Sequence, residues 1–130
     1  MAERRRISGH SPHEPVVGYS RAVRVGSHVY VSGTAPIPPD GGEPPNGAYA
    51  QTELCLQIVL HALEEAGAAV EDVVRTRVYL TRSEDQGEAG RAHGKVFGEI
   101  RPASTMLAVG ELLDPRWLVE VEAEAVVTPP

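Results

Sequence analysis

Between residues 119 and 125 every second position is acidic: Glu120, Glu122 and Glu124 alternate with Val119, Val121, Ala123 and Ala125. Successive side chains of a strand point to opposite faces, so this run is predicted to be a strand with one apolar face and one carboxylate face. Residues 73–81 have the same period, with Val74, Thr76, Val78 and Leu80 facing one way and Arg75, Arg77 and Tyr79 the other. Arg24 falls at a third polar-side position, in a further alternating run. Cross-strand ion pairs are expected to join these arginines to the glutamates, as a charge ladder on a sheet surface that is either solvated or turned toward a subunit.

Around these two strands the rest of the order falls into place. Residues 19–25 and 28–32 alternate on either side of Gly26-Ser27, which predicts a hairpin with Val29 and Val31 opposite Tyr30. Residues 36–47 are rich in Pro, Gly and Asp and read as a surface loop. Residues 49–66 have helical period: Leu54, Ile58, Ala62 and Ala66 recur every four residues, Val59 and Leu63 widen the stripe, and Gly67 stops it. Residues 84–100 predict a second helix, weakened by Gly87, Gly90, Gly94 and Gly98. Residues 105–113 and 118–127 predict two further strands, separated by a turn at Asp114-Pro115. The predicted fold class is α+β, with order β-β-α-β-α-β-β and two helices packed on one face of a mixed sheet. One domain over residues 1–130 is expected, with residues 1–15 a polar N-terminal segment.

Composition narrows the function classes. The 130 residues are 42% hydrophobic and 23% charged, a globular mix. A net charge of −6 repels backbone phosphates, which argues against a general nucleic-acid or membrane-surface binder. The one basic cluster, Arg4-Arg5-Arg6, is followed by no apolar run; it is expected to be a solvated tail rather than an export signal. No apolar stretch approaches the roughly 18 residues of a membrane span. Cys55 is the single cysteine, so no intrachain disulfide and no Cys-based zinc site can form, and a reducing cytoplasm is the expected compartment.

Few residues carry a chemical signal. There is no phosphate loop, dinucleotide fingerprint or metalloprotease helix. Of the five histidines only His10 and His13 have ligand-like spacing, and no metal site is expected. Cys55, beside the apolar stripe of the first helix, is expected to be buried filler rather than a nucleophile. Ser32-Gly33, at a strand end, offers a hydroxyl and a backbone N–H to a ligand, or simply a turn. Glu120 is the strongest candidate. A carboxylate next to Trp117 and Leu118 is open to desolvation, which raises its pKa and makes it a usable acid or base. The structural alternative is a partner for an arginine.

At this level of detail the chain resembles the reactive-intermediate deaminase family, known as Rid, YjgF or endoribonuclease L-PSP-like. Residues 19–26 (Tyr-Ser-Arg-Ala-Val-Arg-Val-Gly) and 29–33 (Val-Tyr-Val-Ser-Gly) resemble that family's opening hairpin. Gln51-Thr52 and Ala66-Gly67-Ala68 resemble the ends of its first helix, and residues 71–81 its central strand. Its C-terminal signature is matched by Arg101-Pro102-Ala103-Ser104-Thr105-Met106 and by residues 118–123. The likeness runs from about residue 4 to 127 and rests on the order and spacing of these motifs together.

The resemblance implies a chorismate-mutase-like fold and a homotrimer whose small-molecule clefts lie between subunits. It also implies hydrolysis of reactive enamines and imines, such as 2-aminoacrylate, to 2-keto acids and ammonia, with no metal or organic cofactor. Carried over residue by residue, Glu120 is the catalytic position, and Tyr19, Ser32, Gly33, Ser104 and Thr105 bind substrate. Two departures stand out. The deaminase branch has an arginine after its Pro-Ala pair to hold the substrate carboxylate, and here that position is Ser104; no neutral side chain replaces a guanidinium in that task. Where that branch tends to have an asparagine near the cleft, this chain has Gly90. Arg101 and Arg116 are the cations nearest in sequence to the altered site. Three readings follow: an imine- or enamine-hydrolysing enzyme, a non-catalytic ligand-binding or regulatory trimer, and, least favoured by the charge, a ribonuclease or translation inhibitor.

Overall fold

The computed structural model describes residues 3–129. Six strands form one sheet: β1 (Arg4–Ile7), β2 (Ala22–Val25), β3 (His28–Thr34), β4 (Val73–Leu80), β5 (Ala103–Ala108) and β6 (Val119–Val126). Their spatial order is β1-β2-β3-β6-β4-β5, antiparallel throughout except for the parallel pair β4 and β5. Helices α1 (Ala48–Glu65) and α2 (Gln86–Phe97) cover one face. Val29 and Val31 of β3, Val78 of β4, and Val119 and Val121 of β6 meet Cys55, Leu56 and Val59 of α1 and Ala89 and Phe97 of α2 in a single core. The alternation that singled out β6 is realised in full: Val119, Val121, Ala123 and Ala125 are buried, and the three glutamates line the uncovered face.

Four expectations need correction. Arg4–Ile7 is a strand, not a tail; it pairs with β2 in register Arg5↔Arg24 and leaves the three arginines exposed along the sheet's edge. A single apolar residue, Ile7, is too little for period-two reading, and the pairing comes from the partner strand. Next, Arg24 faces the helices. Its Nη1 donates to Ala66 O at 2.7 Å and its Nε to Gly26 O at 2.9 Å, so it caps the end of α1 and takes no part in the ladder. Val74 is exposed because the β4–β6 register shifts between Val73 and Arg75, and Val73 is buried in its place. Finally, β5 begins at Ala103, where its ladder with β4 starts, and stops at Ala108; residues 109–117 form a loop.

The helices also differ in detail. The buried stripe of α1 runs through Thr52, Cys55, Leu56, Val59, Ala62 and Leu63. Leu54 and Ile58 lie at its margin, against a groove formed with Gly9, His10 and Pro39. The helix ends as expected at Gly67 (φ +81°), with Ala68 N–H donating to Leu63 O at 2.8 Å and Gly67 N–H to Glu64 O at 3.0 Å. A short turn precedes α2, where Asp85 accepts two hydrogen bonds from Arg82 at 2.9 Å each. Among the described residues no helix is long and apolar enough to cross a membrane.

Candidate functional site

The site begins with an irregularity. Across β3 and β6, Val31 pairs with Ala123 but Thr34 pairs with Val121, so one extra residue is inserted at Ser32-Gly33. Such a bulge bends the strand and re-aims its side chains. Ser32 N–H donates to Arg21 O at 3.0 Å and Ser32 Oγ donates to Ser20 O at 2.7 Å, which ties the bulge to the start of β2. The hydroxyl is thus spent as a donor inside the chain and retains its acceptor capacity. A Cβ at Gly33 would overlap Glu120 Oε2, so the glycine leaves room for the carboxylate where it sits.

Tyr19, Arg21, Ser32, Gly33, Trp117 and Glu120 line one cleft of about 430 Å³ on the uncovered side of the sheet. Burial raises the Glu120 carboxyl above its ordinary value; the nearby Arg21 charge pulls it down and Glu122 pushes it up. Trp117, itself buried, lines the same cleft as the partly buried Glu120. Beneath the same strand the Cys55 thiol sits fully buried, 4.0 Å from Val119 O, and burial pushes its pKa well up. It is filler, as expected. Tyr19 follows a wide turn closed by its N–H to Glu14 O at 3.1 Å, and its ring lies 5.6 Å from the Arg21 guanidinium.

Arg21 is the residue that sequence reasoning missed as a site member. It is only 5% exposed, and its Nη2 donates to Gly33 O at 2.9 Å. The available signal was a charged residue directly before a position, Ala22, that the hairpin had to bury.

Ser104 and Thr105 do not join this group within one chain. They lie on β5, two strands from β6, a separation of about 10 Å. Their side chains also point to opposite faces. Ser104 pairs with the core-facing Thr76 and accepts a 2.8 Å hydrogen bond from its Oγ1, while His93 Nε2 lies 2.8 Å from the same hydroxyl. Burial lowers the His93 pKa. Thr105 pairs with Arg77 on the open face. Gly90 lies in α2 with open space where a side chain would project. Of the two nearby cations, Arg116 is held by Asp114 at 2.8 and 3.0 Å, which lowers the Asp114 carboxyl to about 2. Arg101 is exposed in a left-handed turn (φ 57°) after α2.

The ladder survives in reduced form beside the cleft. Arg77 Nη1 lies 2.9 Å from Glu124 Oε1 and 3.4 Å from Glu122 Oε1, and Tyr79 OH donates to Glu122 Oε1 at 2.7 Å. Glu120, opposite Tyr79 in the register, takes no share in these bonds among the described residues. It is the one glutamate of the three left free to face a ligand. No group of three or more His, Cys, Asp or Glu among the described residues is placed to hold a metal ion.

Comparisons with known proteins agree with this fold. The profile of the family described as endoribonuclease L-PSP matches residues 9–127. An uncharacterized protein of Streptomyces coelicolor is 40% identical over 121 residues, covering 93% of this chain and 90% of its own. The 3-aminoacrylate deaminase RutC of Acinetobacter baylyi is 32% identical over 112 residues, covering 85% of this chain and 88% of its own. Among solved structures, Rv2704 of Mycobacterium tuberculosis, a member of the YjgF/YER057c/UK114 family, superimposes with a TM-score of 0.88 at 42% identity, covering 96% of this chain and 100% of that one.

Proposed function

Since the chain belongs to the endoribonuclease L-PSP family, which includes the Rid and YjgF proteins, we propose that it hydrolyses a small reactive imine or enamine in the Glu120 cleft, as a homotrimer. The observation that carries this reading is the Glu120 carboxyl itself: half-buried, raised by burial, seated over Gly33 and excluded from the neighbouring ladder. A carboxyl whose pKa is raised by burial is a stronger base than an ordinary one, and once protonated it can return the proton as an acid. Protonation of an enamine at carbon, with loss of one N–H proton, gives the imine. Water then adds to the C=N carbon while Glu120 takes a water proton and passes it to nitrogen, forming the neutral carbinolamine; transfer of the hydroxyl proton to nitrogen through Glu120, as the C–N bond breaks, releases ammonia and the ketone. The balance is one water consumed and one ammonia formed, and no metal or organic cofactor enters.

Trimer formation is supported by the division of the candidate residues. Ser104 and Thr105 sit on an exposed edge strand away from Glu120, so they act on the same ligand only if a neighbouring copy supplies them. A reducing cytoplasm suits the lone buried thiol. The test is pyruvate release from 2-aminoacrylate generated in situ, alongside a panel of larger imines, with Glu120→Gln as control. A rate no higher than buffer on every substrate sinks the catalytic reading.

One observation favours a second reading, a ligand-binding trimer without turnover: Ser104 stands where the deaminase branch has its arginine. A thermal-shift screen that finds ligands for a protein inert on the imine panel would select it. Ribonuclease action is opposed by the three glutamates along the open face and the net charge of −6.

A further inference from the structure

With serine at position 104, the site lacks the cation that would hold an anionic ligand from the neighbouring edge strand. We infer that Arg21 supplies it, making the cleft selective for small carboxylates, with anchor and acid–base group on the same protomer. The inference rests on the proposed cleft but not on turnover there.

Four observations carry it. Arg21 is nine-tenths buried yet has no carboxylate within ion-pair distance among the described residues. Its Nε is buried with no hydrogen-bond partner, and its Nη1 makes no bond among the described residues. The nearby carboxylates of Glu14 and Glu120 make no ion pair with this buried guanidinium, so a ligand's negative charge would compensate it more closely than either. The head is also aimed: Nη2 is fixed on Gly33 O and the plane lies by the Tyr19 ring, both walls of the cleft that holds Glu120. Fixing one edge of the fork leaves the remaining N–H groups pre-organised for a carboxylate.

Glu14, also buried, accepts the Gly9 N–H at 2.9 Å through Oε1; its Oε2 has no hydrogen-bond partner and flanks Gly9 together with the Arg21 stem, without coming within ion-pair distance of the guanidinium. Among the described residues Glu120 is the only carboxylate lining the cleft with Arg21; burial raises its pKa and the Arg21 charge lowers it. Arg116, the alternative cation, is already occupied by Asp114. The rim describes the rest of the ligand. Val17 and Leu113 are 72% and 92% exposed at the mouth, and Trp117 forms the wall. A cleft of about 430 Å³ with these walls suits a 2-imino or 2-keto acid bearing an apolar side chain.

Trp117 is the only tryptophan, so its fluorescence reports on the cleft directly. Purified protein is titrated with 4-methyl-2-oxopentanoate and, separately, with its methyl ester, which removes the charge and keeps the shape. Wild type should bind the acid more tightly than the ester by about tenfold or more. Arg21→Gln should abolish that preference, and Arg21→Lys should keep part of it, which also shows that the fold tolerates the exchange. Glu120→Gln should bind the acid at least as well as wild type, while losing any turnover. Equal affinity of wild type for acid and ester overturns the inference without recourse to any variant. So does an absence of saturable quenching by the acid. A preference that survives in Arg21→Gln but disappears in Arg101→Ala or Arg116→Ala would place the anchor elsewhere and overturn it too. Because binding is read apart from turnover, an inert protein that still prefers the acid refutes the catalytic reading alone. An active one without the preference refutes the anchor alone.

Discussion

The Oε2 atom of Glu120 occupies the space into which a side chain at position 33 would project, so the carboxylate and the glycine form one fitted pair across β3 and β6. The conflict created by Gly33→Ala falls on the tip of a flexible side chain rather than on backbone. Stability should therefore fall by about 1 kcal/mol or less, while imine hydrolysis falls by about tenfold or more because the carboxyl is displaced. Melting temperature and kcat/KM, measured on the same preparation, separate the two effects. Unchanged activity would mean that the contact has no part in the chemistry.

The raised Glu120 carboxyl makes a signed prediction about stability. The folded state binds this proton more tightly than the unfolded chain. The associated stability is fully present below the ordinary value of 4.5 and is lost as pH rises through the higher folded value. Glu120→Gln carries no charge at any pH and escapes that loss. Urea denaturation should find the variant more stable than wild type at about pH 8, with the difference closing near about pH 4. A variant less stable at the higher pH would show that Arg21 outweighs burial.

Ser104→Arg should restore a second cation, but only to an assembled protein. The residue lies on the exposed edge strand, so a longer side chain projects away from its own sheet. Hydrolysis of carboxylate-bearing imines should rise by about tenfold or more in kcat/KM. The gain should vanish on dilution once light scattering reads the 13.9 kDa monomer. A gain that persists in the monomer would remove the inter-subunit cleft from consideration.

Arg24→Ala tests the cap on α1. The guanidinium donates to Ala66 O at 2.7 Å, and the loss of a charged hydrogen bond costs about 1.5–3 kcal/mol. Thermal unfolding should shift downward, with the ligand preference of the cleft unchanged. A shift no larger than that of an exposed-surface control would show that the cap contributes nothing.

How much of this was legible in the sequence depended on how local the deciding interaction is. The β6 alternation and the stop of α1 at Gly67 are properties of neighbouring residues, and both are realised. The environment of Glu120 was legible because Trp117 and Leu118 stand next to it in the chain. Arg24 was assigned to the wrong face because Ala22, which shows the true parity of β2, is small and carries little hydropathic signal. The face of Ser104 depends on its parallel register with Thr76, a strand 28 residues away, and no local pattern encodes that. Arg21 was read as part of a hairpin motif; only the convergence of β2, the Ser32-Gly33 bulge and β6 gives it a place in the cleft.

The two borders of the sheet are unequal. On β1 the outermost residues are Arg4, Arg5 and Arg6; on β5 they run Ala-Ser-Thr-Met-Leu-Ala, without a charge. Open-ended growth by strand addition needs a receptive border on both sides of every unit, and arginine charge guards one of them here. Two copies meeting through β5 would leave only guarded borders outward, and a third could not extend the ribbon. The two borders are thus unequally receptive to strand addition, the charged one far less than the uncharged one.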